Sequence, residues 1–224
     1  MPPTDFQRAR STAAKQAREQ AILDSARQLG TELGIRQITL TDIATAVGMH
    51  KSAMLRYFET REEIFLRLTA DGWREWSAAL RARLYAAGEM SPAAVASTFA
   101  ATLAERGMFC DLLAQAPMNL ERNVSVDAVR TFKLATLTEV DAIVTATRRV
   151  LPALTEEDGV DLVAAATSLS GAFWQMATPG PEIAALYRSE PGLAHAVVDV
   201  ESRVARILSA MLTGIVGRGC ADTA

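Results

Sequence analysis

Residues Thr39–Phe65 read TLTDIATAVGMHKSAMLRYFETREEIF, and this stretch decides the fold. Thr39 stands where a helix begins, with Asp42 three positions on. A threonine oxygen there accepts from the N3 amide while the acid reaches back, a variant of the capping box. Ile43, Ala44 and Val47 carry the apolar side for two turns. Gly48 then permits a tight reversal, and Met49 is placed to seal the corner between two helices. The next helix opens with His50-Lys51-Ser52, so its start is polar and basic, and Ala53, Met54, Leu55 and Phe58 form its apolar side. Glu59-Thr60-Arg61 breaks it. Helix, glycine turn, helix is a geometry that sets the start of the second helix against base edges in a major groove. Open amides at such a helix start also donate to phosphate oxygens.

Working outward, the helical period continues on both sides. Ile22, Ala26, Leu29 and Leu33 lie on one face of a helix from about Lys15 to Leu33, and Gly34 follows as a left-handed cap. Ile35-Arg36-Gln37-Ile38 is too short to assign. Downstream, Ile64, Leu68, Trp73 and Leu80 mark a long helix over 61–86. Further helices are expected near 92–105, 108–116, 125–150, 156–177, 182–188 and 192–214. Ser91-Pro92, Pro152, Pro179-Gly180-Pro181 and Pro191-Gly192 separate them. No run alternates as a strand, so the class is all-α. Three units are expected: a basic flexible arm over 1–14, a three-helix reading unit over 15–60, and a larger helical domain over 61–224.

Composition agrees with a globular chain. The protein has 224 residues, of which 50% are hydrophobic and 22% charged. Two cysteines, Cys110 and Cys220, make neither a disulfide framework nor a four-cysteine metal site. The first twenty residues hold no apolar core of a secretory signal, and no membrane span is expected, which points to the cytoplasm. The net charge of −3 is unevenly spread: residues 1–67 carry 10 Lys and Arg against 8 Asp and Glu, the remainder 13 against 18. Arg8, Arg10, Lys15 and Arg18 face only Asp5 near the amino terminus. A basic end on an acidic body suits a polyanion at that end alone.

Residues 15–68 resemble the DNA-binding domain of the tetracycline-repressor (TetR) family of bacterial regulators. Thr39, Ile43, Ala44, Ala46, Gly48, Lys51, Tyr57, Phe58 and Glu62 stand where that family's motif has them. Arg61 occupies the usual lysine position, and Ile64 or Phe65 stands near the motif's leucine. His50 replaces a serine cap, Ser52 a glycine and Leu55 a tyrosine, while Arg56 falls at a variable position. These departures bear on which operator is read. The resemblance implies that Thr41 touches a phosphate or base edge and that His50, Lys51, Ser52 and Ala53 face the major groove. It implies that Arg56, Tyr57 and Arg61 meet the backbone, with Met54 and Phe58 left to the core. The partner implied is a palindromic or near-palindromic double-stranded operator.

One reading head makes few contacts, so a two-fold dimer is expected, its half-sites about one DNA turn apart. Val197, Val200, Val204, Ile207 or Leu208, Met211 and Ile215 form a stripe on the last helix, and Ala164, Ser168 and Gly171 put small residues on one side of the 156–177 helix. The resemblance implies that these two helices from each subunit build the homodimer, with Ala164, Ser168, Val197, Val204, Leu208 and Met211 in the interface. It also implies a small-molecule pocket in the second domain, for which Phe99, Phe109, Leu112, Met118, Asn119, Phe132, Phe173 and Trp174 are the candidate lining residues. Few charges interrupt 92–120, which suits a largely apolar effector. The implied mechanism is repression released when the effector favours another spacing of the two heads.

Two rival readings stand beside this one. An enzyme is disfavoured: His50 and His195 are the only histidines and lie far apart in sequence, and no HExxH, GxSxG, P-loop or dinucleotide-binding glycine pattern occurs. Cys110 sits in an apolar context that suits packing, and Glu156-Glu157-Asp158 suits a helix start. Neither a cofactor nor a metal is expected. The other rival is a helical interaction or ligand-binding protein whose helix-turn-helix no longer reads DNA, a reading that Leu55 and His50 keep open.

Overall fold

Helix starts in this chain are written as side-chain caps, and the structure uses them. In the computed structural model, which describes residues 5–196 and 198–221, the chain forms α1 (Asp5–Leu33), α2 (Leu40–Ala46), α3 (Lys51–Met54), α4 (Arg61–Ala86) and α5 (Pro92–Ala104). There follow α6 (Gly107–Gln115), α7 (Val126–Val150), α8 (Glu156–Ala177), α9 (Pro181–Ser189) and α10 (Val200–Ala221). Thr60 caps α4 by accepting from the Glu63 amide, and Ser91 and Ser125 cap α5 and α7 in the same way. Thr155 and Asp158 close a full capping box at α8. No strand occurs among the described residues, and no helix among them is long and apolar enough to cross a membrane.

Three boundaries differ from the sequence reading. Helix α3, expected to run on through Phe58, ends at Met54. Helix α1 begins at Asp5, so residues 5–14 of the expected arm continue the first helix instead of preceding it. Nothing between Asp5 and Leu29 breaks a helix: no glycine or proline occurs there, and Lys15 and Glu19 pair at 3.7 Å one turn apart. At the other end, Pro191–Ala196 is a 3-10 turn and α10 starts only at Val200, not near 192. Asp199 sets that start, its carboxylate accepting from the Ser202 hydroxyl at 2.6 Å and from the Ser202 amide at 3.3 Å.

Helix α4 is the spine. Ile64, Phe65 and Leu68 are buried near its beginning, and Trp73, Trp76, Leu80 and Leu84 further along. It packs against α1 and also against α5, α6 and α7, while α10 lies along α5 and α8 rests on α6, α7 and α10. The middle of the larger domain is filled by rings. Trp76 meets Trp73 edge-on at 5.5 Å and Phe99 at 6.0 Å, and Phe109 meets Trp73 at 5.8 Å. The Trp76 indole N–H donates to the buried Thr102 hydroxyl at 3.0 Å, so its polar edge is satisfied.

Glycines let elements approach where a side chain has no room. A β-carbon on Gly72 would stand 2.3 Å from the Phe109 ring, and one on Gly171 would stand 3.0 Å from the backbone nitrogen of Ala114. The second contact sets the spacing of α8 and α6, and backbone cannot swing aside as a side-chain tip can. Gly171→Ala is therefore expected to destabilise the protein by about 1–3 kcal/mol through overpacking, read from denaturant midpoints at unchanged helicity.

The reading unit is tied to the larger domain at the corner after α1. The Asp111 carboxylate on α6 accepts from the Ile35 amide at 3.0 Å and from the Gln175 side-chain amide at 2.8 Å. Beside it, Met108 lies against Gly30, and the Thr31 hydroxyl points to its sulfur at 3.6 Å. Arg27 of α1, in the same cleft as Thr31 and Met108, faces Asp71 and Glu75 of α4 at 3.8 and 3.7 Å.

Candidate nucleic-acid interface

The presentation of α3 begins one helix earlier. The Thr39 hydroxyl accepts from the Asp42 amide at 3.2 Å, and the Asp42 carboxylate accepts from the Thr39 amide at 2.8 Å. The Thr39 hydroxyl also donates to the Asp42 carboxylate at 2.7 Å, and this bond first, with the Thr39 amide second, holds the Asp42 carboxyl below its ordinary range. The cap's support for α2 is thus complete above the ordinary carboxylate range and is lost as pH falls through the lowered folded value. Helix α2 ends in a double closure: Gly48 adopts φ 65° and donates to the Thr45 carbonyl at 3.0 Å, while the Met49 amide donates to the Ala44 carbonyl at 2.8 Å. Met49 packs on the core beside this turn.

Helix α3 is a single turn whose inward side is fixed and whose outward side is polar. Met54 and Phe58 are buried, at 0% and 6% exposure, and anchor it. His50, Lys51, Ser52, Leu55 and Arg56 are exposed, and Thr41 is exposed on α2. Ala53 is half-buried, and Tyr57 is half-buried against the core. Leu55 departs from the sequence reading. It is expected on the apolar side, yet it is 51% exposed, because α3 ends at Met54 and Leu55 follows its last turn at the C-cap. No side chain caps α3, so the histidine at its cap position leaves the first amides of the helix without a side-chain acceptor.

Arg61 stands apart from the other expected contacts. Its guanidinium donates to the carbonyls of both Ile35 and Ile38, pairs with Glu62 at 3.0 Å and lies 4.8 Å over the Phe65 ring. It ties the loop before α2 to the start of α4. The resemblance implies Arg61 as a contact to the DNA backbone; here its guanidinium is engaged by a loop whose carbonyls need a donor.

The residues expected to line an effector pocket do not converge on one cavity. Phe99 is sealed within the ring cluster, and Met118 is 67% exposed on the surface. Phe109 and Leu112 border a cleft of about 260 Å³ between α1, α4 and α6, whereas Phe132 borders another of about 370 Å³ between α4 and α7. Asn119 lies in a hollow beside Arg36 and Arg61, and Phe173 lies 5.6 Å beneath Arg203. Trp174 borders a cleft of about 890 Å³, together with Asp111 and the corner after α1. Sequence reasoning passed over Asp111, although a lone charge between Met108 and Leu120 was a signal for it.

The expected dimer residues also separate. Val204 and Leu208 are wholly buried, and α10 packs on α5 of the same chain, so this part of the stripe belongs to the core and not to a surface. The physical reason is that α5 offers an alanine-rich apolar partner within the chain. Gly171 likewise serves the α8–α6 contact. Ala164 and Ser168 are exposed, Met211 is half-buried, and Val197 lies outside the described residues. Cys110 is buried, burial pushes its thiol up to about 12, and the thiol donates to the Leu103 carbonyl at 3.3 Å. Among the described residues no group of three histidine, cysteine or acidic side chains is placed to hold a metal ion.

A capped helix, a closed glycine turn and a short helix showing a basic start define a helix-turn-helix reading head on a helical body. Residues 22–68 match the family described as bacterial regulatory proteins, tetR family, and residues 70–219 match the tetracyclin repressor-like C-terminal domain. The chain belongs to the tetR family and is a DNA-binding transcriptional regulator. Among solved structures, it resembles a tetR-family bacterial regulatory protein from Rhodococcus RHA1, with 13% identity over 87% of this chain and 96% of that one and a TM-score of 0.51. It also resembles a TetR-family transcriptional regulator from Mesorhizobium loti, with 13% identity over 91% and 96% of the two chains and a TM-score of 0.51. At such identities the likeness is one of fold. No curated protein matches the chain.

Two variants separate contact from scaffold. Lys51→Ala is expected to weaken DNA binding and to lower the slope of log affinity against log salt by about 1, at unchanged melting temperature. Arg61→Ala is expected to destabilise the fold by about 2 kcal/mol, since two carbonyls lose a charged donor, and to leave that slope unchanged. Fluorescence anisotropy at several salt concentrations, paired with denaturant unfolding, reads both.

Proposed function

We propose that the chain acts as a homodimeric repressor, bound to a palindromic or near-palindromic operator and released by a small, largely apolar effector. The observation that carries the reading is the two-sidedness of α3. Met54 and Phe58 fix it from within while His50, Lys51, Ser52 and Arg56 are held outward, as a groove-reading helix requires. In this reading Thr41 and the half-buried Ala53 and Tyr57 border the same contact, with Arg61 holding the frame. Lys15 and Arg18, exposed on the long first helix, add phosphate contacts.

Pairing in this reading uses the outward side of α8 and the adjoining edge of α10. Val160, Ala164, Ser168 and Ala172 follow one another at four-residue intervals on α8, all exposed, with Val160 at 45%. Half-buried Ile207, Met211 and Ile215 lie on α10, which packs beside α8. Small residues at that spacing let a second copy approach closely, and two-fold pairing sets the heads about 34–36 Å apart, one turn of the duplex. Release requires an effector that binds the DNA-competent and DNA-incompetent arrangements unequally.

The test pairs a gel shift on the DNA flanking the coding sequence with sedimentation equilibrium. Salt-sensitive, sequence-selective binding by a dimer is expected. Ala164→Arg is expected to shift the protein towards monomer and to weaken operator binding at least tenfold, on the order of the avidity that a second head supplies. A monomer that ignores every duplex would leave only a helical binding protein with a degenerate reading head.

A further inference from the structure

We infer that the cleft between the reading head and the carboxy-terminal end of α8 is a site for a lipophilic organic cation, held by the Asp111 carboxylate and the Trp174 indole. The inference rests on the effector-released reading above and names both the place and the chemical class of the effector.

The cleft measures about 890 Å³ and runs from Gly30–Gln37 of the head to Gly107–Asp111 of α6 and Trp174–Pro181. Asp111 stands at its inner end, only 8% exposed. Both of its carboxylate oxygens accept hydrogen bonds, one from the Ile35 amide and one from Gln175, and both donors are neutral. Among the described residues no lysine, arginine or histidine pairs with it: the nearby Arg106 is committed to the Thr102 carbonyl at 2.6 Å and to Glu105 at 3.5 Å. A buried carboxylate without a counter-charge is costly, and a cation entering the cleft would relieve that cost.

Part of the wall suits a cation with an apolar body, while Thr31, Gln37 and Thr178 line the rest. Trp174 presents a half-buried indole whose place is fixed by Gly107, where a β-carbon would stand 2.2 Å from the ring. An indole face attracts a desolvated cation. Met108, Leu33 and Pro179 extend the apolar lining, and Leu33 is 51% exposed there. At the rim Glu32 and Arg36 offset one another, which leaves Asp111 as the net charge of the cleft. Because Asp111 is also the bond between α6 and the corner after α1, a guest that engages it acts on the joint that sets where the head lies.

Isothermal titration of the full-length protein with tetraphenylphosphonium, set against neutral triphenylphosphine oxide, tests the site without DNA. The cation is expected to bind at least tenfold tighter than the neutral compound, on the order of one added charge contact. Trp174→Leu is expected to weaken it several-fold and Asp111→Asn at least tenfold, again on the scale of such contacts. Arg36→Gln, which changes an exposed side chain, is expected to tighten it and keeps the test valid if Asp111→Asn misfolds. Equal affinity for the two compounds, or cation binding indifferent to Trp174→Leu and Arg36→Gln, would overturn the proposal. Operator release by the cation is measured separately: tight binding without release would sink the regulatory reading and leave the site standing.

Discussion

One buried carboxylate joins the two halves of this regulator. Asp111 projects from α6, in the larger domain, and takes the amide of Ile35 at the corner where α1 gives way to the loop before α2. That amide follows a helix end and has no helical carbonyl to bond, so the acid satisfies a group that would otherwise be buried and unpaired. The same carboxylate takes the amide of Gln175 on α8. Three elements from separate parts of the chain thus converge on two oxygens. These directional bonds act beside the packing of α1 on α4 and α6 in setting where the head lies against the body.

The head itself is rigid for reasons that are mostly local. The Thr39–Asp42 box sets the start of α2, the left-handed Gly48 sets its end, and Met54 and Phe58 seat α3. A four-residue helix has no stability of its own, since a single turn does not repay its nucleation, so α3 depends on these neighbours for its existence. Arg61 completes the frame by bonding the loop carbonyls of Ile35 and Ile38 from the first residue of α4. Both anchors of the pre-α2 loop, Arg61 and Asp111, therefore lie outside the three-helix unit that they position. The geometry of α1–α3 is finished by α4 and α6.

The larger domain shows why chemistry-bearing residue types are poor guides to cavities. Its aromatic residues fill space: Trp73, Trp76, Phe99 and Phe109 interlock edge to face, and Gly72 is bare so that Phe109 can lie down on α4. The open volume is instead at the seam with the head, where a helix end, a 3-10 turn and a proline-bounded loop cannot interdigitate as two helix faces do. A seam of this kind is where a small guest has the greatest leverage on the relative placement of two bodies.

Periodicity, caps and breakers act through neighbours in sequence, and so they alone determined the all-helical class, the bounds of α4 and α8, the Thr39 cap and the Gly48 turn, whereas the choice of Met54 and Phe58 over Ala53 and Leu55 for the core came from the family motif. The outward polar side of α3 was legible from neighbours in sequence. Which partner each apolar stripe meets is a matter of pairing between distant segments, and only the tertiary structure decided it. Val204 and Leu208 face α5 of their own chain, Gly171 serves α6, and the candidate pocket residues scatter because identical apolar patterns fit several partners equally well. Arg61 and Asp111 are the sharpest cases: an arginine and an aspartate carry no periodic signal, and each acquired its role from unpaired backbone groups that folding brought within reach.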